Sequence, residues 1–331
     1  MAQRVLVTGA GGFIGSHLAQ ALAKADWQVR AMVHYNSRGS IGWLEDVEPD
    51  ARKSIEIAPG DVQDGAFVRE AMNGCSVVMH LAALIGIPYS YDAPAQYVAT
   101  NIGGTLNVLQ AAKDVGVEMV IQTSTSEVYG TAQSVPIDET HPLVGQSPYS
   151  ATKIGADQLA LSFHRSFGTP VAVIRPFNTY GPRQSTRAVI PTIITQLLAG
   201  SRAVALGALA PTRDFSFVDD TVRAFVAVAG AKAAIGEVIN IGSGFEISIG
   251  DVLKVVAGVL GVDAKPSAEA ERIRPQASEV GRLRADNAKA ARLIGWKPEY
   301  GGLDGFRRGI ERTVRWFRDR QPQAAPARYA V

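Results

Sequence analysis

The stretch VLVTGAGGFIGSHLAQAL, residues 5–22, decides the fold. It joins an apolar strand pattern to an amphipathic helix pattern through a turn that carries Gly9, Gly12 and Gly15. Glycines at this spacing permit a tight turn, let the backbone approach a pyrophosphate, and let the helix pack closely on the strand. The start of the helix adds amide donors and the positive end of the helix dipole. The segment therefore predicts a dinucleotide site; the alternative is a purely structural glycine-rich turn.

The same alternation of strand and helix patterns continues from residue 4 to about residue 175. The strand patterns are RVLVT, VRAMVH, SIEIA, SVVMHLAA, VEMVIQTS and VAVIRPF. Such alternation predicts an α/β fold with a parallel sheet covered on both faces, here a Rossmann-type doubly wound sheet over residues 1–175. From about residue 176 the alternation loosens, which predicts a smaller C-terminal α/β substrate-binding lobe over 176–320, with a return to the first domain around 213–241. Residues 321–331 are typical of a loosely ordered tail.

Composition narrows the class of protein. The 331 residues carry 33 basic and 31 acidic side chains, a formal net charge of +2, which argues against a general nucleic-acid binder. Cys75 is the single cysteine, so no intrachain disulfide can form and a reducing compartment is expected. No signal segment is recognisable, and the apolar run AFVAVAGA is too short to span a bilayer. We expect a cytoplasmic protein that binds no membrane.

The end of the second strand pattern bears on the choice of dinucleotide. An NAD-preferring site usually has an acidic residue there for the adenosine ribose, whereas this chain has His34, Asn36, Ser37 and Arg38. A cation beside the ribose can accept a 2′-phosphate, so the pattern fits NADP at least as well as NAD, unless Arg38 is only a solvated loop residue. Asp61, after the third strand pattern, is a candidate acceptor for the adenine amino group or a plain turn-forming aspartate.

A second motif, SPYSATKIGADQLA, places Tyr149 and Lys153 four residues apart at the start of a helix pattern. Both side chains then lie on one helix face. The unperturbed pKa of tyrosine is about 10, and a nearby ammonium favours the phenolate. Tyr149 is therefore a candidate general base, although the same spacing also occurs by chance on ordinary helices.

Together these motifs resemble the extended short-chain dehydrogenase/reductase family that acts on nucleotide sugars. The resemblance rests on TGAGGFIG, Asp61, HLAA at 80–83, Asn101 in TNIGGTLNVL, STSEVYG, and Tyr149 with Lys153. It implies a Rossmann domain with a small substrate lobe, and a homodimer formed through helices at about 95–114 and 149–166. Besides the glycines, Asn36, Ser37, Arg38, Asp61, Tyr149 and Lys153, the cofactor contacts that it implies are Phe13, Ile14, Val62, Leu81, Ala82, Ala83 and Thr123.

Within that family, the segment Thr125-Ser126-Glu127 resembles the triplet of 4,6-dehydratases. The family pattern implies that Thr125 assists Tyr149 at the oxygen on sugar carbon 4. Once carbon 4 is a ketone, the proton on carbon 5 is acidified and Glu127 can remove it. Loss of the carbon 6 hydroxyl and return of the hydride to carbon 6 would give a 4-keto-6-deoxy sugar. The proton donor to the leaving hydroxyl stays open among Ser126, a water and protonated Glu127.

Other members of the family remain alternatives. UDP-glucuronate decarboxylases also carry STSEVYG, but they tend to have Tyr-Asp at the catalytic helix where this chain has Tyr149-Ser150. Simple 4-epimerases need no carboxylate at the Glu127 position. The later segments resemble 4,6-dehydratases of legionaminic acid-type cell-surface sugar pathways, which makes the dehydratase our first hypothesis. A non-enzymatic dinucleotide sensor would have no need for Tyr149, Lys153 and Glu127 together.

A nucleotide diphosphate sugar also needs cations on its pyrophosphate, where Arg is favoured for bidentate contact. The candidates are Arg183, Arg187, Arg213 and Arg274, with Asn178 as a further diphosphate or sugar contact. Arg213 and Arg274 match the phosphate contacts that the resemblance implies. No His, Asp and Glu cluster has metal-ligand spacing, so no metal is expected, and no segment predicts the nucleotide base.

Overall fold

The computed structural model describes residues 3–269, 272 and 275–320. Its strands are β1 (Arg4–Thr8), β2 (Gln28–His34), β3 (Ile55–Gly60), β4 (Val77–His80), β5 (Met119–Thr123), β6 (Val171–Pro176), β7 (Asn178–Tyr180), β8 (Ala203–Leu206), β9 (Thr212–Phe217), β10 (Val238–Ile241), β11 (Glu246–Ser248) and β12 (Lys265–Ala268). Its α-helices are α1 (Phe13–Lys24), α2 (Pro49–Arg52), α3 (Gly65–Met72), α4 (Ile87–Asp92), α5 (Pro94–Tyr97), α6 (Gly104–Val115), α7 (Pro148–Phe167), α8 (Val189–Leu198), α9 (Val218–Ala229), α10 (Ile249–Leu260), α11 (Ala288–Ile294) and α12 (Gly302–Asp319).

Within the described residues the main sheet has seven parallel strands in the order β10-β6-β5-β4-β1-β2-β3. All six strand patterns of the first half form strands of this sheet, which confirms the Rossmann-type fold. The strand order reverses between β1 and β4, and Thr8 aligns with His80 across that pair. Ligands of such sheets bind beyond the carboxyl ends of the strands at this reversal, so the fold itself locates the site.

Alternating side chains of β1 explain why helices cover both faces of the sheet. Val5 and Val7 belong to a core cluster that includes buried residues of α1 and α9, whereas Leu6 belongs to a second cluster with residues of α3, α6 and α7. Successive residues of a strand point to opposite faces, so a strand buried on both faces reads as a continuous apolar run.

The second lobe consists of a three-stranded sheet, β11-β9-β7, and a two-stranded sheet, β12-β8, together with α8, α10 and α12. The strand Thr212–Phe217 belongs to the three-stranded sheet. The return to the first domain therefore begins at Val218, because α9 packs on α1 and β10 forms the edge of the main sheet beside β6. The tail 321–331 lies outside the described residues.

The two helices expected near 95–114 and 149–166 are present with one local difference. Between α5 and α6 the backbone forms a π-helical turn over Val98–Gly103. Asn101 in this turn accepts a hydrogen bond from the Leu84 amide (2.8 Å) and donates to Thr152 Oγ1 on α7 (3.0 Å). Asn101 thus joins the loop after β4 to the helix that carries Tyr149 and Lys153.

The helices also bear on membrane association. Among the helices of the described residues, none is both long and apolar enough to cross a bilayer.

Candidate active site

The glycine loop is shaped by two close backbone approaches. Gly9 has φ +68°, and a Cβ there would lie 2.8 Å from the amide nitrogen of Ala82. A Cβ on Gly15 would lie 2.2 Å from the carbonyl oxygen of Gly9. Helix α1 starts at Phe13 with no side-chain cap, so the amides of its first turn are left for another acceptor. The loop therefore fits a dinucleotide pyrophosphate at the helix start.

A 3-10 turn, Gly42–Asp46, forms a wall beside this loop. The Trp43 amide donates to the Gly11 carbonyl oxygen (2.9 Å), and Gly42, with φ +63°, leaves no room for a Cβ against that oxygen. The Trp316 ring of α12 packs edge-on against Trp43 at 5.4 Å between ring centroids. Arg320 forms an ion pair with Asp46 at 2.9 Å. Trp316 and Arg320 near the C-terminus therefore support the 3-10 turn, and this turn in turn contacts the glycine loop.

The adenosine end differs from the sequence expectation in detail. The Asn36 side chain is used within its own loop: its Oδ1 accepts from the amides of Arg38 and Ser40, and its Nδ2 donates to the Ser40 carbonyl. Asp61 accepts from the Gln63 amide, and its other carboxylate oxygen lies 3.5 Å from His34 Nδ1. Of the expected contacts at this end, Asn36 lines the cleft, whereas Ser37, Arg38, Asp61 and Val62 do not.

Other expected cofactor contacts gather around one large cleft, which has a volume of about 870 Å³. The residues that line it include Gly9, Gly12, Phe13, Ile14, Gly15, Leu81, Ala82, Ala83, Thr123, Tyr149 and Lys153. The Thr8 hydroxyl accepts hydrogen bonds from the amides of Leu81 and Ala82, both at 3.1 Å. This hydroxyl holds the loop after β4 against the end of β1.

The candidate catalytic residues Tyr149 and Lys153 lie at the start of α7. Ser147 and Ser150 form a capping box, and Pro148 occupies the first turn. Lys153 Nζ donates to the carbonyl oxygen of Thr123 at the end of β5 (2.6 Å). Tyr149 and Lys153 are both buried and both line the cleft.

The segment Thr125-Ser126-Glu127 faces this pair. Thr125 caps a 3-10 turn, Ser126–Tyr129, and its Oγ1 accepts from the Glu127 amide (3.2 Å). Ser126 and Glu127 are buried and line the same cleft as Tyr149. A carboxylate, a phenol and an ammonium therefore surround one space.

The electrostatics of the pair follow from burial. Burial raises the pKa of Tyr149; a hydrogen bond from Thr125 opposes this rise, and the Glu127 carboxylate adds to it. Burial also lowers the pKa of Lys153 to about 8, and Asp157 acts in the opposite direction. These effects favour the neutral phenol of Tyr149, so its use as a base depends on a neighbouring group that favours the phenolate.

The cleft contains buried polar atoms without partners. Thr123 Oγ1, Asn178 Oδ1 and Gln184 Oε1 are buried, belong to residues that line the cleft, and have no hydrogen-bond partner within the described structure. Unpaired buried polar atoms are rare and costly, so a group that pairs with them is expected. Gln184 was not identified from the sequence; its place beside Arg183 in a Pro- and Gly-bearing loop gave no signal of its own.

The expected diphosphate arginines separate into different environments. Arg187 and Arg213 line the cleft. Arg213 is buried and forms an ion pair with Glu279 at 2.8 Å, and Glu279 also lines the cleft. Arg274 lies outside the described residues, whereas Arg272, which the sequence analysis did not single out, lines the cleft.

Arg183 does not lie in the cleft, which corrects the expectation that it contacts a diphosphate. Its buried guanidinium donates to Gln20 Oε1 and to the Asp46 carbonyl oxygen, both at 3.0 Å. The physical reason is that these acceptors, together with Ser16 Oγ at 3.4 Å, satisfy the guanidinium beside α1. Its role is to tie the loop before α8 to the turn beside the glycine loop.

Comparison with known proteins identifies the family. The family model described as GDP-mannose 4,6 dehydratase matches residues 6–309. The chain belongs to this family. The expected membership of the nucleotide-sugar epimerase/dehydratase group of extended short-chain dehydrogenases/reductases is thereby confirmed.

Relatives within the family catalyse more than one reaction. The chain is 34% identical to a dTDP-glucose 4,6-dehydratase of Streptomyces antibioticus over 95% of this chain and 92% of the relative. It is also 34% identical to a UDP-glucose 4-epimerase of Mycolicibacterium smegmatis, over 96% and 99%. The crystal structure of the dTDP-glucose 4,6-dehydratase DesIV of Streptomyces venezuelae, solved with NAD bound, superposes with a TM-score of 0.85 at 31% identity, over 96% and 97%. The chain is thus an enzyme of the NAD(P)-dependent nucleotide-sugar dehydratase/epimerase family.

Two histidines, His80 and His17, have partners within the fold. His80 lies between the hydroxyls of Thr8 (2.8 Å) and Thr105 (3.1 Å), and burial lowers its pKa to about 3. His17 contacts the Pro182 carbonyl oxygen (2.9 Å), and burial lowers its pKa to about 4. Among the residues that the structure describes, no group of three His, Cys, Asp or Glu side chains is placed to hold a metal ion.

Burial of the Lys153 ammonium lowers the free energy of unfolding, and this loss of stability can be measured. Lys153→Met should abolish activity yet raise the free energy of unfolding of the cofactor-free protein by about 1–3 kcal/mol at neutral pH. The folded-state pKa, about 8, lies below that of an unfolded lysine, so the cost is fully present below pH 8 and is relieved as the pH rises through the folded pKa. Denaturant titrations at neutral pH and at roughly pH 10 would measure the gain and its expected decrease.

The matched control is Lys254→Met, since that ammonium is exposed on α10 and should change stability little. Equal stability of Lys153→Met and wild type at neutral pH would mean that Lys153 is not strained by burial.

Proposed function

We propose that this enzyme is a nucleotide-sugar 4,6-dehydratase that produces a 4-keto-6-deoxy-hexose, N-acetylated or not, for cell-surface glycan synthesis. The observation that carries the proposal is the position of Glu127. Its carboxylate is buried, lines the cleft, and acts on the pKa of Tyr149. Burying a carboxylate is costly, so this one is expected to have a chemical task in the cleft.

The first step needs a base at the hydroxyl on sugar carbon 4. Tyr149 supplies it, with Thr125 as a second hydrogen-bonding group on the same oxygen and with the Lys153 ammonium favouring the phenolate. A nicotinamide dinucleotide would supply the group that takes up hydride from carbon 4 and gives it back at carbon 6. The glycine loop, Thr123 and Lys153 would hold that cofactor.

The second step uses the acidity that a ketone at carbon 4 gives to carbon 5. Glu127 removes the carbon 5 proton, the carbon 5–carbon 6 double bond forms, and the carbon 6 hydroxyl leaves as water with a proton from Ser126, a water or protonated Glu127. The proton count closes because the carbon 4 hydroxyl and carbon 5 each release one proton, one of which leaves in the water while the other returns to carbon 5 as hydride is added at carbon 6. The net change is the loss of one water, with no cofactor consumed.

The rival reactions make less use of this geometry. A 4-epimerase returns hydride to carbon 4 and has no role for a buried carboxylate beside Tyr149. A UDP-glucuronate decarboxylase shares the STSEVYG segment, but here Ser150 serves as the capping-box partner of Ser147 where decarboxylases tend to have Asp. A dinucleotide sensor would use none of the three ionisable side chains.

The decisive experiment is a product mass measurement. The purified protein is incubated with UDP-, GDP- and dTDP-hexoses, with their N-acetyl forms, and with UDP-glucuronate. The proposal requires the loss of one water from at least one hexose. Loss of carbon dioxide from the uronate would establish the decarboxylase instead, and a new stereoisomer of unchanged mass the epimerase.

We further propose that the adenosine end accepts NADP at least as readily as NAD. Support comes from the end of β2, where no carboxylate is available to a ribose and the nearby Asp61 lies beside His34. Mass analysis of the cofactor released on denaturation would identify it, and release of NAD alone would overturn this choice.

For the substrate, we propose that Arg187 and Arg213 contact the diphosphate and Asn178 the diphosphate or sugar. The two guanidiniums line the cleft, and the unpaired Asn178 Oδ1 is an acceptor for a ligand hydroxyl. For the assembly, we propose a homodimer through α5, α6 and α7. The proposal is supported by exposed apolar side chains on this face: Val98 in the π-helical turn between α5 and α6, Leu106 on α6 and Phe167 at the end of α7.

A further inference from the structure

A buried ion pair lies behind the catalytic segment and outside the cleft lining. Asp157 of α7 and Arg175 of β6 are 0% and 2% exposed. Asp157 Oδ2 accepts from Arg175 Nε at 3.2 Å and lies 3.1 Å from Arg175 Nη2. The other carboxylate oxygen, Oδ1, is buried with no hydrogen-bond partner within the described structure. A buried carboxylate with one unpaired oxygen is not expected to stabilise the fold, because apolar replacements of buried ion pairs are often neutral or stabilising.

The pair holds the catalytic segment from both sides. Ser124, the residue before Thr125, donates to Asp157 Oδ2 at 2.7 Å. Tyr129, at the other end of the 3-10 turn, accepts from Arg175 Nη1 at 2.9 Å, and its ring lies 4.9 Å from the guanidinium. The Tyr129 hydroxyl in turn donates to Asn240 Oδ1 on β10 (2.7 Å). Thr125, Ser126 and Glu127 therefore lie between Ser124 and Tyr129, whose side chains both hydrogen-bond to this ion pair.

The same carboxylate acts on Lys153. Asp157 lies one helical turn after Lys153 on α7, and its negative charge raises the pKa that burial lowers. His80 on β4 and Asp157 on α7 interact electrostatically with the Lys153 ammonium, and Tyr149 and Glu127 line the same cleft. His80 is neutral at working pH, and Asp157 is itself paired with Arg175 of β6.

We propose that Asp157 and Arg175 are positioning residues for the reaction of this site: they hold Thr125–Glu127 against Tyr149, and Asp157 supplies the charge that keeps Lys153 an ammonium. The proposal rests on the function proposed above only for its use of Tyr149 and Lys153. An epimerase or a decarboxylase would need the same pair for oxidation at carbon 4, so product identity and the role of Asp157 are tested by different measurements.

The principal test is Asp157→Asn, which keeps the side-chain shape and removes the charge. With whichever substrate turns over, kcat should fall by about 10-fold to 100-fold at a KM within about 3-fold of wild type, since a small misplacement of reacting groups is costly. The alkaline limb of the pH–rate profile should move to lower pH by about one unit, because Lys153 loses its proton more readily.

Ser124→Ala is the matched control, because it removes a neutral hydrogen bond to the same oxygen and should leave the alkaline limb in place. A folded Asp157→Asn enzyme with the wild-type limb and wild-type kcat would overturn the proposal. If Asp157→Asn does not fold, the double variant Ser124→Ala/Tyr129→Phe tests the positioning directly. It cuts both attachments and leaves the ion pair, so kcat should fall by about 10-fold or more, and an unchanged kcat would refute the proposal.

Discussion

Glu127→Gln should stop water loss while leaving the first oxidation intact. General acid–base groups contribute about 10²- to 10⁴-fold, so formation of the 4-keto-6-deoxy product should fall by about 10³-fold. The amide keeps the shape and burial of Glu127 but cannot take the carbon 5 proton. Because oxidation at carbon 4 depends on Tyr149, reduced nicotinamide should accumulate when substrate is added. Its absorbance and the product mass, followed in one reaction, report the two steps separately.

Ser126→Ala is the companion variant, since Ser126 is a buried neighbour on the same 3-10 turn and a candidate donor of the proton that leaves with water. A small effect of that change would remove Ser126 from the candidates for the proton donor. Normal product formation by Glu127→Gln would disprove the assignment of Glu127 as the base. Loss of both steps would instead place Glu127 in the first oxidation.

Tyr149→Phe should suppress the first oxidation itself. In the proposed reaction the phenol acts on the carbon 4 hydroxyl, and no other described side chain in the cleft combines a phenol with a neighbouring ammonium. We expect loss of about 10²- to 10⁴-fold in cofactor reduction as well as in product. Stopped-flow absorbance after mixing with substrate measures the reduction step directly.

The control here is Tyr97→Phe, because the Tyr97 ring packs edge-on against Tyr149 at 6.3 Å and its hydroxyl donates to the Gly86 carbonyl. That change removes a phenol hydroxyl next to the site and should preserve reduction. Undiminished reduction in Tyr149→Phe would exclude Tyr149 as the base and would turn attention to Glu127.

Local patterns were sufficient for the parts of the site that local geometry determines. The 9, 12 and 15 glycine spacing and the four-residue spacing of Tyr149 and Lys153 each fix a shape within one or two turns of chain. The apolar runs fixed the main sheet for a similar reason, since a strand buried on both faces has one composition. Within the described residues, the glycine loop and the Tyr149–Lys153 pair lie at the carboxyl ends of the parallel strands.

Features that depend on distant contacts could not be found in this way. Arg183 looks like a phosphate ligand in sequence, yet its guanidinium donates to Gln20 and to the Asp46 carbonyl oxygen. The ring contact between Trp43 and Trp316 likewise joins residues that are far apart in sequence. Composition and spacing show which residue types are present. They do not show the tertiary contacts that decide the role of each residue.

The contact between Trp43 and Trp316 makes the support of the glycine loop depend on α12. Arg320, directly after α12, adds its ion pair with Asp46. A variant truncated before Gly302 would lose both contacts. We expect such a variant to hold a dinucleotide less tightly than the full chain does.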